Sequence, residues 1–252
     1  MIQELTPGII LLIIAVGFAA GYINSLAGNG SLITLPLLIF LGLPANVANG
    51  TNRVAIFLQN VVGVGSFYQQ KQINFKKDGL IAIPAVLGAV AGAFVAVDLD
   101  EKIMEKVIGI IIVFMMILLI VKPKQFINPT LRQGSKTPWY SYPIFFLIGI
   151  YGGFIQAGTG LFILMGLSLT AGYNLVKANA VKLLIVLIYT PFALYVFYIN
   201  DQVNLLIGLI LAAGNMGGAF LGTRMAVKHG AGFVRYILLA IMIISAVKLL
   251  FF

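Results

Sequence analysis

Long apolar runs, separated by short polar gaps, make up most of the chain. In the first half these runs cover about 8–23, 31–43, 46–69, 79–97 and 103–121. In the second half they cover about 144–156, 160–172, 175–199, 203–227 and 233–252. Lipid supplies no partner for an unpaired backbone N–H or C=O group, so runs of this kind must be helical inside a bilayer. The pattern predicts an all-α protein that crosses a membrane several times.

The composition supports a membrane protein, because 61% of the 252 residues are apolar and only 9% are charged. About a quarter of the residues in a soluble domain are charged. At about 20 residues per spanning helix, the chain holds about eight spans and no soluble catalytic domain. The first two runs of each half have only about 13 to 16 residues, too few to cross the hydrocarbon core. We expect these short runs to form broken or re-entrant helices.

The two halves of the chain are related by an internal repeat. A shift of 130 residues aligns them without a gap over most of their length. Polar residues and glycines match as well as apolar ones: Asn49 with Asn179, Gln72 with Gln202, Asn74 with Asn204, Gly88 with Gly218 and Gly92 with Gly222. We therefore predict a membrane repeat over 1–121, a linker over 122–143 and a second membrane repeat over 144–252.

Charges in equivalent gaps have opposite signs. The gap 71–78 carries three lysines and one aspartate, a net +2, whereas its counterpart 200–204 carries one aspartate, −1. The gap 98–106 has four acids and two lysines, −2, whereas 224–235 has three basic residues, +3. Cytoplasmic loops are enriched in Lys and Arg, so the halves are predicted to have inverted topology. The linker 122–143, at +4, is then cytoplasmic, and both termini are external.

The net charge of +9 comes mainly from these gaps, so it indicates orientation in the cytoplasmic (inner) membrane rather than binding to nucleic acid. The chain has no cysteine and a single histidine, His229, which lies in a basic loop. No carboxylate pair for acid–base chemistry falls inside an apolar run, and no nucleotide-binding glycine loop is present. We expect no enzymatic activity, no metal and no cofactor.

Two glycine-rich segments, 21–31 and 152–160, interrupt the apolar runs at equivalent positions. Glycine permits the non-helical backbone that such a break needs. A half-helix then begins at about Ser31 or Leu161, and its first N–H groups carry a positive partial charge. Such a terminus can bind an anion without any charged side chain. The candidate substrate-binding residues in the two breaks are Asn24, Asn29, Gly30, Ser31, Gln156, Thr159 and Gly160.

The same small residues could instead serve close helix packing. We assign only this packing role to the glycine pairs Gly17 and Gly21, Gly88 and Gly92, and Gly218 and Gly222.

A second group of candidates lies near the start of the third run in each half: Thr51, Asn52 and Arg53, then Asn179 and Lys182. An ionisable side chain inside a span is costly and usually faces a cavity or a partner. All seven acids lie at run ends or in gaps, so an anionic substrate could be the missing counter-ion. The alternative is that these cations reach the membrane interface, which we favour for Lys177.

Four further polar residues lie within the spans: Gln59, Asn60, Tyr189 and Thr190. They could line a substrate path or form hydrogen bonds between helices.

The glycine breaks and the residues around them resemble the sulfite exporter TauE/SafE family of membrane permeases. The matching features are the segments 21–36, 41–44 and 152–160, together with Ala48, Thr51 and Asn52. The resemblance covers nearly the whole chain and implies transport of small sulfur oxyanions or organosulfur anions across the cytoplasmic membrane. The chain departs from the usual run of glycines at Asn29 and Thr159, and Gly166 stands where a proline would match Pro36. These departures leave the substrate open.

The sequence thus predicts a secondary transporter for a small anion, with sulfite or a related sulfonate favoured, that works by alternating access. An anion channel built from the same parts is one alternative. A membrane subunit that scaffolds a partner enzyme is another. The direction of transport, the coupling ion and homo-oligomerisation stay open.

Overall fold

The computed structural model describes residues 5–121, 138–171, 173 and 175–228, and within these ranges the chain is helical, with no strand. The helices are α1 (Pro7–Ala27), α2 (Ser31–Phe40), α3 (Ala45–Gln69), α4 (Phe75–Asp78), α5 (Ala82–Val97), α6 (Glu101–Val121), α7 (Ser141–Phe154), α8 (Thr159–Ala171), α9 (Leu175–Ile199) and α10 (Leu205–Lys228). A 3-10 turn, Gly79–Ile81, joins α4 to α5. Most of the predicted linker and the last apolar run lie outside the described residues.

Four segments of the described part are long and apolar enough to cross a membrane: Pro7–Leu26, Gly79–Val97, Val176–Ile199 and Leu205–Met225. Their outward faces carry large apolar side chains such as Leu11, which is 68% exposed, and Leu87, which is 63% exposed. Faces of this kind are unfavourable in water and suit lipid. The protein is therefore a multi-pass membrane protein, while the total of about eight spans stays a prediction.

Helix α1 is longer than the first apolar run predicts. It has 21 residues, about 31 Å at roughly 1.5 Å per residue, so the expectation of a half-helix here is wrong. The small polar residues near its end do not stop it, because the Ser25 hydroxyl donates to Gly21 O within the helix at 2.9 Å. The helix ends only at Gly28, where φ is +75°. Helices α2, α7 and α8 are short, with 10, 14 and 13 residues.

Each short helix that follows a break folds back over the helix before it. A Cβ built on Gly30 would lie 2.4 Å from Ala20 O, and Leu38 shares a buried cluster with Ile13. Helix α8 returns along α7 in the same way, because Gly166 lies beside Phe145. The pairs α1–α2 and α7–α8 are therefore helical hairpins whose tips are the two glycine breaks.

The glycine pairs allow close contact between helices from different halves. A Cβ on Gly218 of α10 would lie 1.9 Å from Phe18 O of α1, and one on Gly92 of α5 would lie 1.9 Å from Ile150 O of α7. The pairing is reciprocal, since α1 packs on α10 and α7 packs on α5. The packing role predicted for the three glycine pairs is confirmed.

Helices α3 and α9 occupy the centre, and their bounds differ by 130 residues at both ends. At one end Phe67 packs in a buried cluster with Ala180. At the other end the Thr51 hydroxyl oxygen accepts a hydrogen bond from Asn204 N at 2.9 Å. The two helices therefore run in opposite directions past each other.

The α5–α7 contact gives a direct test of the packing. We expect Gly92→Ala to destabilise the protein by about 2 kcal/mol, because the added methyl group overpacks a backbone contact. Gly65→Ala is the matched control, since a Cβ there meets nothing within 4 Å and helix propensity favours alanine by about 1 kcal/mol. Thermal unfolding in detergent measures both variants. Equal Tm values for the two would contradict the packing.

Candidate functional site

The two glycine breaks meet in the interior. Gly28 and Gly158 are repeat equivalents, and both have a left-handed backbone, with φ of +75° and +74°. A Cβ on Gly28 would lie 2.7 Å from the carbonyl carbon of Gly160, and one on Gly160 would lie 2.5 Å from Gly28 Cα. The backbones of the two breaks therefore touch, and a side chain at either position would separate them.

This contact brings the N-terminal ends of α2 and α8 together. Helix α2 begins at Ser31, as predicted, after Gly30, which gives no side-chain cap. Helix α8 begins at Thr159, two residues before the predicted start, Leu161. The first N–H groups of a helix lack intrahelical partners and carry a positive partial charge. Two such termini thus converge from the two halves of the chain.

A small cavity lies at the convergence. Its lining residues are Asn24, Gly28, Ser31, Ile56, Asn60, Gln156, Thr159, Gly160, Lys182, Leu183, Val186 and Tyr189. Lys182 is the one charged residue among them, so the lining contains a cation and no carboxylate. The electrostatics of the cavity favour an anion.

Lys182 is only 1% exposed and projects from α9 towards the end of α1. Its ammonium group donates to Asn24 O at 2.8 Å and to Asn179 Oδ1 at 2.5 Å. Asn179 Nδ2 in turn donates to Ser25 O at 2.8 Å. A lysine has three N–H donors, so these two bonds hold the ammonium group in place beside the cavity and leave one donor.

Arg53 does not line the cavity. Its guanidinium group donates to Gly152 O at 3.0 Å and Gly153 O at 2.6 Å, and it stacks 4.5 Å from the ring centroid of Phe197. These carbonyls belong to the C-terminal end of α7, which carries a negative partial charge. Arg53 therefore caps α7 from α3, much as Lys182 caps α1 from α9, and it has protein partners without a substrate.

Three more of the predicted residues lie outside the cavity lining. Asn52 donates to Ser31 Oγ at 3.0 Å and accepts from the Thr34 hydroxyl at 2.7 Å, which fixes α2 against α3. Thr51 is bonded to the start of α10 and lies away from the cavity. Asn29 lies between Gly28 and Gly30 in the first break, is 1% exposed, and has no partner for either amide atom.

The structure thus divides the predicted site residues into three groups. Those that line the cavity are Asn24, Ser31, Gln156, Thr159, Gly160 and Lys182. Those that flank or support it are Asn29, Gly30, Asn52 and Asn179, while Thr51 and Arg53 serve helix ends.

Asn60 and Tyr189 also line the cavity, although the sequence left their roles open. Gln59, next to Asn60, instead accepts from Asn215 Nδ2 at 3.3 Å. The apolar lining residues Ile56, Leu183 and Val186 give no signal in the sequence, because nothing distinguishes them from core residues.

A partly buried ion pair joins the two halves away from the cavity. Asp78, which ends α4, accepts from Lys177 Nζ of α9 and from the Tyr173 hydroxyl at 3.1 Å. The Lys177 side chain is 24% exposed and that of Asp78 is fully buried. Burial and the Asp78 charge raise the pKa of Tyr173 well above its usual range, so its hydroxyl stays protonated and donates. The sequence did not predict this partner for Lys177.

We expect Asp78→Asn to lower the free energy of unfolding by about 2 kcal/mol, because it removes one charge of a largely desolvated pair. Asp98→Asn is the matched control, since the Asp98 side chain is exposed and changes at such positions stay within about 0.5 kcal/mol. Thermal unfolding in detergent distinguishes the two. An unchanged Tm for Asp78→Asn would show that the ion pair contributes little.

Comparisons with known proteins agree with the membrane architecture. The family described as Sulfite exporter TauE/SafE matches residues 13–249. A probable membrane transporter protein, ORF9, of Sinorhizobium sp is 28% identical over 98% of this chain and 95% of its own length. A probable membrane transporter protein of Haemophilus influenzae is 25% identical over 96% of this chain and 95% of its own length.

YfcA of Escherichia coli K12, also called a probable membrane transporter protein, is 23% identical over 100% of this chain and 92% of its own length. No solved structure matches the chain. Because the family match extends over nearly the whole sequence, the chain belongs to the sulfite exporter TauE/SafE family of membrane transporters.

Proposed function

We propose that this protein is a secondary transporter for a small anion, and that the anion binds where the two glycine breaks meet. The observation that carries the proposal is the cavity between the N-terminal ends of α2 and α8, which among the described residues is lined by Lys182 and by no carboxylate. Helix N-termini and a buried ammonium group both favour negative charge. The cavity has room only for a small ligand.

A sulfur oxyanion or a sulfonate is the favoured substrate. The description of the family as sulfite exporters supports this class, although its relatives are called only probable membrane transporters. Several converging donors suit the three oxygens of a sulfite or sulfonate group, because hydrogen bonds to an ionised acceptor are the stronger ones. The Ser31 hydroxyl, whose oxygen accepts from Asn52 Nδ2, would add a donor from the first turn of α2.

Alternating access would require the two halves to have inverted topology in the membrane. The opposite directions of α3 and α9 support this relation, and so do the reciprocal pairs α1–α10 and α5–α7. Asn49 and Asn179, which are repeat equivalents, cap α7 and α1 respectively. An asparagine of each half thus bonds the helix that precedes the break in the other half. Rocking of the two halves would then open the same site to either side of the membrane. The protein would lie in the cytoplasmic membrane.

Counterflow in liposomes tests this function. Purified protein is reconstituted with unlabelled sulfite inside, and uptake of labelled sulfite is followed with sulfate, thiosulfate, sulfoacetate, taurine or chloride as competitors. We expect saturable counterflow that sulfur anions inhibit and that chloride does not. Absence of counterflow with every anion would contradict the proposal.

The channel alternative is decided by the same liposomes. A water-filled pore would give a conductance far above the turnover of a carrier. We expect no such conductance, because the cavity is small and its lining residues are held by hydrogen bonds from both halves.

A further inference from the structure

Two carbonyl oxygens in the cavity lining have no hydrogen-bond partner. They are Asn60 Oδ1 and Gln156 Oε1, and both are buried. An unpaired buried acceptor typically costs about 1–3 kcal/mol. Two of them beside a cavity therefore point to a ligand that donates hydrogen bonds.

The orientation of each amide group follows from its other contacts. Asn60 Nδ2 donates to Ile56 O at 2.7 Å, and a backbone carbonyl can only accept, so Oδ1 cannot take that place. The Thr190 hydroxyl gives its proton to Val186 O at 2.6 Å. It must therefore accept from Gln156 Nε2, which lies 3.4 Å away, and this leaves Gln156 Oε1 free.

The cavity thus offers donors and acceptors to the same ligand. Lys182 and the two helix ends supply donors, whereas Asn60 and Gln156 supply acceptors. An anion with bare oxygens satisfies the donors and leaves both acceptors unpaired. An anion with an O–H or N–H group satisfies both sets.

We propose that this site selects anions that also carry a hydrogen-bond donor: a singly protonated oxyanion, or a sulfonate with a hydroxyl group. The inference rests on the proposed function and names the substrate class of the same site. A site built to bond a ligand O–H or N–H rejects the analogue that lacks it, because its buried acceptors are then left unpaired.

A metal cation is the other ligand that carbonyl oxygens can take. The lining argues against it, since the Lys182 ammonium group faces the same cavity and no carboxylate balances the charge. Two neutral oxygens fall short of the 6–8 that a calcium ion typically takes. The donor-bearing anion is therefore the occupant that the lining favours.

The test compares 2-hydroxyethanesulfonate with 1-propanesulfonate, which have the same charge and nearly the same shape but differ in one O–H group. Apparent Kd values come from the rise in Tm of the purified protein with anion concentration. We expect the hydroxylated anion to bind about tenfold more tightly to the wild type, the value that one unpaired buried acceptor implies.

Asn60→Leu should bring the ratio of the two Kd values close to one, mainly by weakening binding of the hydroxylated anion. Gln156→Met is the second variant, in case Asn60→Leu does not fold, and it should lower the ratio in the same direction. Gln59→Leu is the matched control on the same helix, and it should keep the tenfold ratio because Gln59 bonds Asn215 away from the cavity.

Equal affinities of the wild type for the two sulfonates would overturn the inference. So would an unchanged ratio in the folded Asn60→Leu and Gln156→Met variants. Loss of a sodium-dependent rise in Tm in these variants, with the sulfonate ratio intact, would overturn it in favour of a cation site. If no anion at all raises the Tm or undergoes counterflow, the proposed function itself fails.

Discussion

Lys182→Met is expected to reduce the kcat/KM of sulfite counterflow by about 100-fold while the protein remains folded. Methionine keeps the length of the side chain and removes its charge. The Lys182 ammonium group is the only charge that the described residues place in the cavity lining, and truncating one partner of a buried charged hydrogen bond costs about 2–5 kcal/mol. The lower rate of counterflow in Lys182→Met should be visible even at sulfite concentrations that saturate the wild type.

The matched control for this variant is Lys76→Met, which removes an exposed lysine on α4. It should change the rate by less than about twofold, because surface charges contribute little. Size-exclusion chromatography and the Tm check that both variants fold. Full counterflow in folded Lys182→Met would contradict the binding role of Lys182.

Arg53→Met should act on stability instead, with an expected loss of about 3–5 kcal/mol in the free energy of unfolding. The substitution leaves the carbonyl groups of Gly152 and Gly153 unpaired inside the protein, and each unsatisfied buried group costs about 1–3 kcal/mol. It also removes the contact with the Phe197 ring. Unfolding by titration with SDS measures this loss.

Arg53→Lys is the matched variant that keeps the charge. It should recover only part of the stability, because an ammonium group lacks the planar fork that reaches two carbonyls at once. Loss of counterflow in Arg53→Met with unchanged stability would mean that Arg53 acts on the substrate rather than on the end of α7.

The sequence predicts the two breaks well because they depend on local pattern. The positions of Gly28 and Gly158 follow from the 130-residue shift, and both adopt the left-handed backbone that glycine permits. Close packing at Gly92 and Gly218 was also predictable, since small residues four positions apart are a recognised helix-packing signal. The length of α1 was not predictable, because small polar residues within an apolar helix do not by themselves end the helix.

Backbone partners explain why the roles of the two cations were harder to predict. Arg53 and Lys182 look alike in the sequence, as basic residues near the start of equivalent helices. Their partners are carbonyl groups at the ends of α7 and α1, which no residue type reveals. Only the fold distinguishes Lys182, which reaches the cavity, from Arg53, which does not.

The ion pair of Lys177 escaped prediction for a related reason. Its partner Asp78 lies 99 residues away in the chain, in a gap that the charge pattern assigned only to membrane orientation. The unpaired oxygens of Asn60 and Gln156 are equally invisible in the sequence, since either amide could have been satisfied by a neighbouring helix.

The central claim is that the transported anion binds between the two breaks, beside Lys182. Anomalous diffraction from crystals grown with selenite tests it most directly, because selenite has the charge and shape of sulfite and selenium can be located without ambiguity. We predict one selenium peak in the cavity, within hydrogen-bond distance of Lys182 Nζ and next to Ser31 and Thr159. A selenium peak at another position, with this cavity empty, would contradict the account.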